Sequence, residues 1–163
     1  MKNKTTLLLT SLTCILFASC ASMRAPVITQ NEPLTGYKYF YVTPTSELSS
    51  SAGMVYGNKY GSYGTSESKN INPSDVISGV MIKNGFIRIP ELKDDVLDQT
   101  LIVNYGESGR RNVNLGYSIE VTIQMLSAKT DAVVCICTAE GQGTTEVDDV
   151  RIAINRALEG LFK

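Results

Sequence analysis

The sequence predicts an α+β domain in which two helices pack on one face of a mainly antiparallel sheet of four to five strands. Three observations carry that expectation. Between Tyr117 and Met125 every odd position is apolar and the positions between are polar, the period-two signature of a strand with one wet face. Residues 72–85 and 144–162 instead repeat their apolar positions at helical spacing behind capping residues. The strand-like segments between Leu101 and Ala139 follow one another with no helix among them, the grouping expected when helices sit to one side of a sheet.

The first strand of the domain falls at Tyr37–Val42, where Tyr37, Tyr39 and Tyr41 line one face and Phe40 and Val42 the other. Residues 46–70 then turn rich in Ser, Gly and Tyr. They read either as a loop or as a loose hairpin through Gly57-Asn58. Long insertions in compact domains are often functional, so Tyr56, Tyr60 and Tyr63 are candidate contact residues for a partner.

Asn72-Pro73-Ser74-Asp75 starts the first helix: Asn72 can cap it, Pro73 suits the first turn, and Asp75 complements the dipole. Val76, Ile77, Val80 and Met81 form its apolar stripe, and Asn84-Gly85 offers a left-handed exit. Phe86–Pro90 reads as a short edge strand closed by proline, and Leu101–Tyr105 as a central strand. Ser127–Asp131 forms a turn from which Ala132–Ala139 returns antiparallel. The second helix begins at Thr144 or Thr145 and runs to Phe162, burying Val147, Val150, Ile154, Leu158 and Leu161. Glu146, Asp148 and Asp149 occupy its first turn, where negative charge is favoured.

Ahead of the domain, Lys2 and Lys4 precede an uncharged apolar stretch from Leu7 to Phe17. Such a stretch rises only about 16 Å as a helix, too short for a bilayer core, and residues 1–19 have the layout of a secretory signal. Phe17-Ala18-Ser19-Cys20 resembles the lipobox of bacterial lipoproteins, although the family's usual Leu is replaced by Phe17. The resemblance implies that Cys20 carries the lipid and that the chain is cut before it. Residues 20–36, with Pro26 and Pro33, then read as a lipidated tether and residues 37–163 as one domain. Two or more acyl chains hold a protein stably on a membrane.

Without residues 1–19 the chain keeps thirteen basic and sixteen acidic residues, a formal charge of −3 that gives no electrostatic reason to expect nucleic acid. Histidine is absent throughout. That removes Ser-His-Asp and Cys-His nucleophile systems, His-containing zinc sites and the usual near-neutral acid/base group. Cys135 and Cys137 fall on one face of a strand and read as reduced core thiols. No cofactor is expected.

Gly141-Gln142-Gly143 lies between strand and helix like a nucleotide-binding turn. The third glycine of that fingerprint is replaced by Glu146, and three carboxylates in the first helical turn would repel a pyrophosphate. Gly106-Glu107-Ser108-Gly109-Arg110-Arg111 reads as a polar turn, and Glu107, Arg110 and Arg111 as an interaction patch, since arginine forks grip carboxylates or phosphates. Ser108 beside Glu107 lacks a near-neutral general base, so no enzyme is expected.

From Asn72 to Phe162 the chain resembles a group of small uncharacterised lipoproteins of Gram-negative bacteria, through NPSDVI, LIVNYGESGRR, IEVTIQ and TAEGQGTTEVDDVRIAINRAL. More distantly, the order of elements is similar to the amino-terminal domain of the Tol periplasmic protein and to curli secretion-pore lipoproteins. The resemblance implies the cell envelope, with the anchor in the outer membrane facing the periplasm, and brings no activity with it. The expected function is a non-catalytic binding or assembly module with an envelope protein, or an envelope polymer, as partner. A structural subunit that oligomerises through a sheet edge is the alternative, and an unrecognised hydrolase using Ser108, Glu107 and a lysine is a more remote one.

Overall fold

The computed structural model describes residues 23–58, 61–113 and 116–163, with backbone pairing alone described for 52–58 and 61–67. Cys20, the signal segment and Tyr60 lie outside the described residues. In chain order the elements are β1 (Val27–Gln30), β2 (Tyr39–Val42), β3 (Leu48–Asn58), β4 (Gly61–Ile71), α1 (Pro73–Lys83), β5 (Ile87–Arg88), β6 (Thr100–Val113), β7 (Gly116–Ser127), β8 (Val133–Gly141) and α2 (Glu146–Leu161). Two short 3-10 turns, Leu34–Gly36 and Asp94–Gln99, lie between them.

The main sheet has six strands in the order β1-β8-β7-β6-β2-β5, not four or five. The antiparallel meander β6–β7–β8 forms its centre, β1 adds antiparallel to β8, and β2 and β5 add parallel on the other side. The extra strand comes from the segment read as tether. Val27–Gln30 pairs with Cys135–Thr138, so the domain begins well before Tyr37. Four residues with two prolines nearby and a mostly exposed pattern carry little periodic signal, and only the unpaired edge of β8 makes them a strand.

The alternation in β7 places Ile119, Val121, Ile123 and Met125 fully inside, against Phe40, Leu101 and Val103 of neighbouring strands. Both helices close over this face. From α1 come Ile77 and Met81; from α2 come Val150, Ala153, Ile154, Ala157 and Leu158. Val76, Val80 and Leu161 are only partly buried at its margin. Each such aliphatic side chain withdrawn from water contributes about 1.5–3 kcal/mol, which makes this layer the principal source of stability. The opposite face of the sheet is mixed: Tyr41, Ile102, Leu126 and Ile136 lie half-buried on it, and Thr122 and Thr138 share a 2.9 Å hydroxyl hydrogen bond across β7 and β8.

The helix ends follow from local chemistry. Asn72 Oδ1 accepts from the Ser74 N–H at 3.1 Å at the start of α1. At its other end Gly85 takes φ +91°, and the Gly85 and Phe86 N–H groups reach back to the Ile82 and Met81 carbonyls at 3.0 and 3.2 Å. Thr145 caps α2, its Oγ1 accepting from the Asp148 N–H at 3.2 Å.

Residues 46–70 form the hairpin alternative. β3 and β4 pair in unbroken register from Leu48↔Ile71 to Asn58↔Gly61, making a two-stranded ribbon separate from the main sheet. The strands run through Gly57 and Asn58, which are therefore paired residues and not the turn that was expected there.

Candidate functional site

The hexapeptide read as a turn, Gly106–Arg111, is the second half of β6. It continues the ladder to β7, and a β-bulge between Glu107 and Gly109 leaves Ser108 as the extra residue. A run of Gly, Glu and Ser disguises a strand because its pairing partner, not its own propensity, decides its state. The bulge also sets the directions of the two arginines. Arg110 lies opposite the buried Ile119 and Arg111 opposite Ser118, so consecutive residues serve opposite faces of the sheet.

On the helix side, the Arg110 guanidinium donates to Glu146 in the first turn of α2, lies 3.5 Å from Glu107, and stands 5.3 Å over the Tyr117 ring. Tyr105 Oη donates to Glu107 at 3.4 Å, and burial together with the neighbouring Glu107 carboxylate pushes its phenol above the usual range. Glu107 and Arg110 are therefore brought together as expected, whereas Arg111 is not part of the same patch.

On the opposite side, Arg111 reaches Glu140 on β8 with two parallel hydrogen bonds, Nε to Oε1 at 2.8 Å and Nη2 to Oε2 at 2.7 Å. The Glu140 side chain is only 3% exposed, yet its pKa falls to about 2, because the Arg111 fork and the Arg24 main-chain N–H, 2.9 Å from Oε2, outweigh desolvation. Arg156 from α2 completes the cluster by donating to the Glu140 carbonyl and, at 2.8 Å, to the Arg24 carbonyl. The amino-terminal segment is latched here by three arginines and one carboxylate; Arg24, Arg111 and Glu140 line a shallow cavity of about 280 Å³ with Glu120 and Gly109. Arg24, Glu140 and Arg156 had no sequence signal, because residues more than a hundred positions apart meet only once β1 joins β8.

The ribbon is rooted at the same end of the sheet. Ser50 Oγ accepts from the Val147 N–H at 3.2 Å, and Lys69 Nζ donates to Asp148 at 2.9 Å, both at the start of α2. Lys69 and the Thr144 and Thr145 hydroxyls hold the Asp148 carboxyl down at about 2. Tyr56 and Tyr63 are register partners near the far end of the ribbon, the one pairing among the three candidate tyrosines that the structure describes.

Gly141 and Gly143 serve packing. A Cβ on Gly141 would lie 1.9 Å from the Asp149 carbonyl oxygen, so this glycine is what lets α2 approach β8. The Gly143 N–H is taken by the Asp149 carboxylate, whose pKa burial nevertheless raises. Cys135 and Cys137 are both fully buried on one face, their sulfurs 3.4 Å apart and unbonded covalently. The shared hydrogen bond and burial push the Cys137 thiol far above its usual range.

Ser108 Oγ donates to Glu120 at 2.9 Å, away from Glu107. The hollow beside it, formed by Asn104, Tyr105, Glu107, Thr122 and Gln124 among others, contains no lysine. The trio considered for hydrolysis is thus not assembled among the described residues. Among the described residues, no cluster of three or more His, Cys, Asp or Glu side chains is placed to hold a metal, and no helix is long and apolar enough to cross a membrane.

No family model matches the sequence, and no curated protein matches it. Solved structures do: the PelC dodecamer from Paraburkholderia phytofirmans aligns at a TM-score of 0.43 and 15% identity, over 84% of this chain and 97% of that one. A leucine-to-methionine variant of the same dodecamer aligns at 0.47 and 15%, over 83% and 96% respectively.

Proposed function

We propose that this chain is a lipid-anchored, non-catalytic module of the bacterial cell envelope that binds or assembles with a protein partner through its β3–β4 ribbon. The anchor is Cys20, and its site is the outer membrane facing the periplasm. One observation carries the binding role: two eleven-residue strands leave the main sheet and pair only with each other. A lone two-stranded ribbon is marginally stable in water and gains from a third surface. Among the described residues its contacts with the body include Leu48, Ser50 and Lys69 near its root, and eight further residue pairs extend beyond Ser50↔Lys69. Its composition of Ser, Gly, Met, Val and Tyr suits a contact surface, where tyrosine supplies area and a hydrogen-bonding tip.

Growth through a sheet edge is the second reading. β1 and β5 are short, but β2 pairs with β6 only over Thr100–Val103, so among the described residues Asn104–Val113 has no strand neighbour on that side. Photo-crosslinking from position 56 in intact cells tests the proposal. A recurrent adduct with one envelope protein or with a second copy, lost when residues 51–68 are replaced by a short linker that leaves the circular dichroism of the body unchanged, is the expected result. Adducts with abundant neighbours only, unaffected by the replacement, would end it.

A further inference from the structure

β6 has fourteen residues, and β2 covers one side of it only over Thr100–Val103. From Asn104 to Val113 the strand is laddered to β7 on its other side, broken only at the bulge. Among the described residues, no main-chain hydrogen bond leaves this stretch toward the side that β2 has vacated. Gly106, Glu107, Ser108, Arg110 and Asn112 are exposed. Outward N–H and C=O groups in a row are a template for another strand.

A bulge and charges on an edge ordinarily discourage pairing with a passing strand. Here their placement suits one partner, the same edge of a second copy. Tyr105–Asn112 laid antiparallel on itself sets Tyr105 opposite Asn112, Gly106 opposite Arg111 and Glu107 opposite Arg110 of the other copy, and the two-fold axis repeats each pair. Residues opposite one another in an antiparallel pair share a face of the sheet. Glu107 and Arg110 are three positions apart and would point to opposite faces of a regular strand. The extra residue Ser108 puts both on the helix side, across from the buried Val121 and Ile119. Within one copy they already lie 3.5 Å apart, so pairing would set two carboxylates and two guanidiniums in alternation about the axis. The pairing stops short of β2 of the other copy, where Thr43 closes on the Val103 carbonyl. Eight residues so paired exchange about eight main-chain hydrogen bonds, within the range of a specific interface.

We infer that this chain pairs with a second copy of itself as a two-fold dimer, through antiparallel addition of Tyr105–Asn112 on β6. The inference rests on growth through a sheet edge, the second reading above, and names both the edge and its partner.

Sedimentation equilibrium of the full-length protein in detergent tests it with Glu107→Arg and Arg110→Glu. The first variant is positive at both positions and the second negative at both, so each repels its own kind and complements the other. The parent is expected as a dimer, and each variant alone should self-associate more weakly by about tenfold or more. An equimolar mixture of the two variants should restore the dimer, which a defect in folding would not do. Ser108→Cys, beside the axis, supplies a readout independent of charge: mild oxidation should link two copies through residue 108, a product absent from the parent. A parent that is monomeric at every concentration would overturn this inference together with the reading on which it rests. A dimer that neither reversal weakens, that mixing does not restore or that Ser108→Cys does not link would overturn the β6 pairing alone, leaving growth through another edge.

Discussion

Arg111 on β6 holds Glu140 on β8 by a two-point hydrogen-bonded fork that passes over the intervening strand β7. The pair ties together three strands, and through Glu140 it also fixes Arg24, so a single guanidinium couples the centre of the sheet to its first strand. Arg111→Ala leaves a nearly buried carboxylate with its main partner gone. A clear loss of stability, read as a lower urea midpoint at unchanged m-value, is expected. Arg111→Lys should recover less than half of it, since an ammonium cannot present two parallel donors.

The same pair sets an acid response. Glu140 has a folded-state pKa of about 2, below its usual 4.5, so its share of stability is fully present above pH 4.5 and is lost as the pH falls through 2. Asp148, held down by Lys69, acts in the same direction. Urea melts of Glu140→Gln across that interval should show a shallower decline than the parent; parallel curves would refute the assignment.

Gly141→Ala is expected to be severe. The added carbon would overlap the Asp149 carbonyl at 1.9 Å and come within 2.6 Å of the Ala153 nitrogen, and both are backbone atoms that cannot swing aside. A loss of about 3 kcal/mol or more should appear in thermal melts, accompanied by displaced α2 resonances.

The two thiols should resist alkylation. Cys135 and Cys137 are fully buried and share one hydrogen bond, which raises the Cys137 thiol and lowers that of Cys135, so it is burial that keeps reagent from both. Iodoacetamide at pH 8 should leave both unmodified in the native protein and modify both in urea. Native labelling at a rate close to that of a free thiol would contradict the structure.

Much of this architecture was legible from local pattern. The α2 boundaries follow from Thr145 and the acidic first turn, the exit of α1 from Asn84-Gly85, and the buried face of β7 from strict alternation. What escaped depended on distant partners. β1 has no periodicity of its own and exists through the edge of β8, and Gly106–Arg111 is composed like a turn yet is carried into the sheet by β7. The candidate patch was legible in part: Glu107 and Arg110 do meet, but the extra residue at Ser108 and the alternation after it send Arg111 to the other face. The latch around Glu140 combines residues from four separate segments of the chain, and nothing in any one of them foretells the others.

The placement of β1 beside β8 has a consequence for biogenesis. Synthesis from the amino terminus delivers Gln30 long before Cys135 emerges to pair with it. The meander of β6, β7 and β8 can close through neighbours, but the outermost strand must wait, and with it the junction at Arg24. Until the carboxyl-terminal third has arrived, the segment around Arg24 therefore has neither Glu140 nor Arg156 to hold it, and only then does it become rigid.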